Sequence, residues 1–269
     1  MVITAASLKL FPRPTSYCTS VMAVESPQTA LELLQQARKI AGDAISAFEL
    51  IQGSGFEFLS ETMPDLHQPF EDSPDWSVLI DLGLGDTQNG EDMLMELFEF
   101  GLEAGLVPDG LIAQSETQRN DFWNAREHIP EANRLIGAIA SHYVSLPLGN
   151  IPHFVENTIS ELQGLAPLRI NFFGHLGDGN LHFNVFPPKG EVRDAYMGLK
   201  PQIDELVYDA IHKLQGSLSA EHGIGRIKVN ALEKYTDPAK FAALKAIKNA
   251  LDPRGIMNPG VVLDNYIEL

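Results

Sequence analysis

The stretch Gly174-His175-Leu176-Gly177-Asp178-Gly179-Asn180-Leu181-His182-Phe183-Asn184-Val185 sets two histidines on either side of an Asp-Gly pair. Asp-Gly is a preferred pair for a two-residue hairpin turn, because both central residues need positive φ. A turn centred on Asp178-Gly179 puts Gly177 opposite Asn180, Leu176 opposite Leu181 and His175 opposite His182. Directly opposed residues have Cβ atoms about 4.5–5.5 Å apart, so two imidazoles there reach one metal ion. Alternation then sorts the faces. Leu176, Leu181, Phe183 and Val185 share a core side; His175, His182 and Asn184 share the other. A metal site needs a third ligand. Glu221, on the glycine-flanked run Glu221-His222-Gly223-Ile224-Gly225, is a candidate, and His222 is left for another role. Taken alone, two histidines across a hairpin serve equally well to hydrogen-bond each other or a carboxylate. His128, His142, His153 and His212 have no comparable constellation and read as structural.

These residues need a scaffold. The chain has 269 residues, enough for one large α/β domain or two small ones. Apolar residues make up 44% and charged residues 20%, which supports a packed core rather than wholesale disorder. The net charge is -17, an excess that repels phosphate backbones and anionic lipid and argues against nucleic-acid or membrane-surface binding. Cys18 is the single cysteine, which excludes an internal disulfide and any multi-cysteine metal site, and points to a reducing, cytoplasmic setting. No apolar run is long enough for a membrane span. The first residues lack the basic region of an export signal.

The element order follows from periodicity and punctuation. Strands are expected at Tyr17 to Val24, Ala44 to Ile51, Trp76 to Leu84, Leu111 to Ala113, Ser141 to Leu146 and, as a pair, Asn171 to Phe186. Helices begin at Ser26-Pro27, after Asn89 and at Ser115, where Ser115-x-x-Gln118 resembles a capping box. Two more span Phe154 to Leu162 and the stripe from Ile203 to Leu214. Two short ones close the chain, stopped at Asp252-Pro253. Gly53 to Pro74, rich in Gly, Pro, Ser and acid, reads as an exposed connection. The order predicts an α+β fold, an antiparallel sheet with helices on one side.

At its motifs the chain resembles the FAD-linked oxidases and dehydrogenases of D-2-hydroxy acids. These include the glycolate oxidase FAD subunit, D-lactate dehydrogenase and D-2-hydroxyglutarate dehydrogenase. The hairpin is similar to their signature. Ser219-Ala220-Glu221-His222-Gly223-Ile224-Gly225, Phe122-Trp123-x-x-Arg126-Glu127 and Asp252-Pro253-x-Gly255-x-Met257-Asn258-Pro259-Gly260 are similar to three further motifs, in the family's order. The resemblance covers the C-terminal half of such enzymes, without the N-terminal FAD-binding domain. It implies a ferredoxin-like cap or substrate domain over residues 1–215 and a tail over residues 216–269 that packs on the FAD domain.

The resemblance also implies roles. His175, His182 and Glu221 match the ligands of a divalent metal such as zinc. His222 matches the catalytic base, Arg126 and Asn184 match substrate contacts, and Asn258 lies in a motif that faces the cofactor. The implied activity is oxidation of a D-2-hydroxy acid to a 2-oxo acid with transfer of hydride to FAD. Three positions depart from the hydroxyglutarate branch. Pro130 stands where a polar residue is expected, Ser141 where a lysine is, and Tyr143 where an acid is, which puts recognition of a second carboxylate in doubt. The implied partners are a small 2-hydroxy acid and an FAD domain in cis or trans. Apolar surface left by that domain predicts self-association, hence a possible homo-oligomer. The rival reading is a non-catalytic subunit that binds a separate flavoprotein and keeps the histidines for structure.

Overall fold

The computed structural model describes residues 3–264. Seven strands form one sheet: β1 (Ser16–Val24), β2 (Ile45–Gln52), β3 (Trp76–Leu84), β4 (Gly110–Ile112), β5 (Ala140–Ser145), β6 (Arg169–His175) and β7 (Asn180–Phe186). Their order is β4-β1-β3-β2-β6-β7-β5, and every neighbouring pair is antiparallel. Eight helices complete the described chain: α1 (Pro27–Ile40), α2 (Gly53–Thr62), α3 (Gly90–Glu103), α4 (Glu116–Ile136), α5 (Ile151–Gln163), α6 (Lys200–Lys213), α7 (Val229–Tyr235) and α8 (Pro238–Leu251). None is long and apolar enough to cross a membrane.

The α+β class and the antiparallel sheet agree with the sequence reading. The placement of helices on one side does not. The strands are apolar on both faces, so both must be covered. Met22, Leu50, Ile80, Phe172 and Phe183 share a core with Leu34 of α1, Leu97 of α3, Phe154 of α5 and Val207 of α6. Val21, Ile51, Leu79 and Phe173 pack on the opposite side against Phe56 and Phe58 of α2 and Phe122 and Ile129 of α4. The expected connection from Gly53 is therefore half helix. Phe56, Phe58 and Leu59 are buried there, and that burial outweighs the weak helix propensity of its glycines and serines.

The predicted caps form. Ser26 Oγ accepts from Thr29 N–H at the start of α1, and Asn89 Oδ1 accepts from Glu91 and Asp92 at the start of α3. At α4, Ser115 Oγ accepts from Gln118 N–H, but Gln118 Oε1 accepts from Gln114 rather than Ser115. Helix α4 carries Arg126 over the sheet and contains Pro130, which has no N–H to return to the Arg126 carbonyl.

The sheet has two parts, β4-β1-β3-β2 and β6-β7-β5, joined by a short ladder between β2 and β6. Its pairs are Glu49 with His175, Leu50 with Gly174 and Ile51 with Phe173. After α6 the chain returns to the sheet edge. Ser217 forms a bridge with Ser145 of β5, and Ala220 N–H donates to the Tyr143 carbonyl at 3.1 Å. This return brings Glu221 and His222 from the tail to the hairpin.

Candidate active site

The β6–β7 hairpin does not have the predicted register. His175 lies opposite Asn180, Gly174 opposite Leu181, and Phe173 opposite His182. The loop is four residues, Leu176 to Gly179, instead of two. Leu176 explains the difference: its side chain is fully buried, and its N–H donates to the Phe48 carbonyl of β2 at 2.9 Å. Asp178 Oδ1 accepts from Asn180 N–H, and Gly179 takes φ +77°. The slip amounts to two residues, and side chains alternate with a period of two, so each keeps its expected face. His175 and His182 become diagonal neighbours on one side of the sheet, within reach of long or aromatic side chains.

Glu221 meets them there. One ligand atom from each of His175, His182 and Glu221 lies within 4.8 Å of the others. Glu221 Oε1 is 3.8 Å from His182 Nε2 and accepts from Asn180 Nδ2 at 2.7 Å. Two imidazoles and one carboxylate fit a divalent cation such as zinc, whose bonds of about 2.0–2.2 Å would draw these atoms closer together. Burial pushes His182 down to about 4, so its ring is neutral and its lone pair free at neutral pH. Its ring stacks on Phe173, and Tyr143 meets it edge-on, with centroids 4.8 Å apart. Tyr143 also meets His222 edge-on, at 4.6 Å. His222 is exposed, with Nε2 3.7 Å from Glu221 Oε2.

Arg126 is buried on the same face. Its Nε and Nη2 both donate to Glu49 Oε2, at 2.8 and 2.7 Å. Nη1 has no hydrogen bond among the described residues. Glu49 Oε1 lies 2.6 Å from His175 Nδ1. Burial tends to raise the Glu49 carboxyl, but the His175 hydrogen bond and the Arg126 charge outweigh it and hold the group below its usual range. The same hydrogen bond holds His175 above the usual imidazole value. Glu49 was not among the residues picked out from the sequence. Its signal was a lone acid inside an apolar strand, and only the β2–β6 pairing gives that acid its meaning.

Asn184 is buried and donates weakly to the Asn171 carbonyl at 3.4 Å. With His182, Phe173, Tyr143, Pro130 and Arg193 it lines a groove of about 310 Å³ that opens beside the cluster. Ser141 lies in the same wall, so all three departures from the hydroxyglutarate branch, Pro130, Ser141 and Tyr143, border this groove. Asn258 is exposed on a left-handed turn with φ +46°. The stretch it belongs to is tied to the glycine-rich loop by Val262 N–H donating to the Gly225 carbonyl at 2.8 Å. Thus six of the seven residues picked out from the sequence converge on one face, while Asn258 lies on the neighbouring loop.

Residues 13–262 match the family described as FAD linked oxidases, C-terminal domain, and the chain belongs to that family. Among curated relatives, it is 34% identical over 266 residues to the mitochondrial D-2-hydroxyglutarate dehydrogenase of Arabidopsis thaliana, covering 99% of this chain and 46% of that one. It is 33% identical to the mitochondrial D-2-hydroxyglutarate dehydrogenase of Danio rerio, covering 99% and 48%. The chain thus spans about half the length of these relatives. The solved p-cresol methylhydroxylase shares the fold at a TM-score of 0.62 and 14% identity, over 94% of this chain and 54% of that one. Alkyldihydroxyacetonephosphate synthase does so at 0.54 and 13%, over 93% and 45%.

Proposed function

We propose that this chain is the substrate-binding and proton-handling part of an FAD-dependent dehydrogenase that oxidises a D-2-hydroxy acid to a 2-oxo acid. The observation that carries this reading is the convergence of His175, His182 and Glu221 beside His222, within a family of FAD-linked oxidases. The names of the relatives support a substrate among the 2-hydroxy acids.

A bound divalent cation would supply Lewis acidity to the substrate hydroxyl, and a flavin would accept the hydride from the α-carbon. The chain's own residues do the rest. His175, His182 and Glu221 would hold the cation. His222, exposed and beside Glu221, takes the hydroxyl proton on a ring nitrogen. Arg126 offers Nη1 to the substrate carboxylate while Glu49 holds its other two donors. Asn184 supplies its amide at the mouth of the groove, and the remainder of the substrate runs along Phe173, Tyr143 and Pro130. In this reading residues 216–264, Asn258 among them, form the side that would meet an FAD domain in cis or trans.

The test has two arms. The purified chain is assayed for zinc, with His182→Ala as control; equal metal in both would defeat the metal assignment. The chain is then joined to an FAD-binding domain from the same family and supplied with D-2-hydroxy acids and a dye acceptor. Reduction of the dye that is lost in His222→Ala is the expected result. Equal turnover by the variant would remove His222 as the base.

A further inference from the structure

Glu49 is 1% exposed, and both its oxygens are used. Oε1 faces His175 Nδ1 and Oε2 takes two donors from Arg126. Resting on the function proposed above, we propose that Glu49 is a positioning residue. It fixes which nitrogen of His175 faces the cation and which nitrogen of Arg126 faces the substrate.

The geometry has three parts. First, Glu49 and His175 are direct partners in the ladder that joins the two parts of the sheet. Their separation is thus set by backbone pairing, not by the loop. Second, an imidazole that donates from Nδ1 keeps its lone pair on Nε2. A carboxylate behind a metal-binding histidine selects that tautomer and fixes the ring's direction. Third, the guanidinium is held by two of its three nitrogens, which leaves Nη1. One carboxylate therefore sets both groups that bind the α-hydroxy acid end.

A second pair on the sheet, with a buried acid and a partly exposed arginine, gives the contrast. Asp81 accepts from Arg119 Nε and Nη2 and from the Thr19 hydroxyl. It contacts no histidine, so it serves as the control for a carboxylate that only neutralises an arginine.

Zinc affinity of the 269-residue chain, measured by competition with a chromogenic chelator, tests the proposal. R126M keeps the contact between Glu49 and His175 and sets the reference affinity against which the loss of Glu49 is read. E49L combined with R126M replaces the whole ion pair by apolar groups, a change that buried pairs tolerate. It is expected to lose about 10–100-fold in zinc affinity. D81N is expected to lose none. A folded E49L/R126M chain that binds zinc as tightly as R126M overturns the positioning role and leaves the metal site standing. A wild type that binds no zinc overturns the metal reading, and this inference with it. Should the double variant not fold, nitrogen-15 shifts of the wild-type histidines without zinc decide. The neutral His175 ring is expected to carry its proton on Nδ1, and a proton on Nε2 overturns the proposal.

Discussion

Phe173 and His182 face each other across β6 and β7 with their rings stacked, centroids 4.7 Å apart and planes 4° from parallel. An apolar ring on one face and Tyr143 at the edge keep water from the imidazole, which is why burial dominates its titration. The charged groups around it pull in both directions. Glu221 and Glu49 favour protonation, and Arg126 and His175 oppose it.

This stacking predicts a pH dependence. His182 titrates at about 4 in the folded chain, against 6.5 in the unfolded one. The unfolded state therefore binds more protons between those values. The stability tied to the neutral ring is full above pH 6.5 and is lost as pH falls through 4. The difference amounts to roughly 3 kcal/mol. Urea unfolding of metal-free chain at several pH values should show wild type losing that much more than His182→Gln. Phe173→Ala should raise the His182 midpoint toward 6.5 in an NMR titration. An unchanged midpoint would place the burial elsewhere.

Zinc binding should depend on Glu221 as strongly as on either histidine. A four-ligand zinc site is worth about 10–16 kcal/mol, so one ligand accounts for ~3 kcal/mol, or ~100-fold in affinity. Glu221→Gln is expected to lose that much in a chelator competition. Asn180→Ala removes the 2.7 Å hydrogen bond that occupies Glu221 Oε1, and should leave affinity equal or tighter. A weaker Asn180→Ala would make Asn180 part of the site's support.

The buried ion pair should be costly to split. Glu49→Ala leaves the Arg126 guanidinium without its partner and is expected to cost about 3–5 kcal/mol in guanidinium unfolding. Replacing Glu49 by Leu together with Arg126 by Met should recover most of that loss. A double variant no more stable than Glu49→Ala would mean that His175 depends on the carboxylate more than Arg126 does.

The hairpin loop should reject a side chain at Gly179. Its φ of +77° is left-handed, which costs a non-glycine residue roughly 1–2 kcal/mol. An added Cβ would also meet the Leu146 carbonyl at 2.4 Å, and that carbonyl belongs to backbone that cannot swing aside. Gly179→Ala is therefore expected to lower stability by more than the conformational cost alone. Full stability in thermal unfolding would show that the loop has another conformation of similar energy.

Much of the scaffold was legible in the chain itself. The strands and caps follow from local chemistry: apolar runs, a Ser-Pro or Asn start, and glycine or proline stops. The face of each hairpin residue was legible too, although its register was not. A two-residue slip leaves alternation intact, so His175, His182 and Asn184 share a side in either register. Helix α2 was missed because Gly, Ser and acid dominate its sequence, and its phenylalanines gain a helix only by burial against α4 and the sheet.

Residue type and alternation were enough to say that two imidazoles and an amide share a polar face, because side-chain direction in a strand is a local property. Only the tertiary structure decided that Leu176 stays buried and lengthens the loop, that the chain returns along β5 to deliver Glu221 and His222, and that Glu49 lies behind both His175 and Arg126. Those outcomes depend on pairing between strands far apart in sequence, and on one buried acid finding two partners. No local pattern encodes such a meeting.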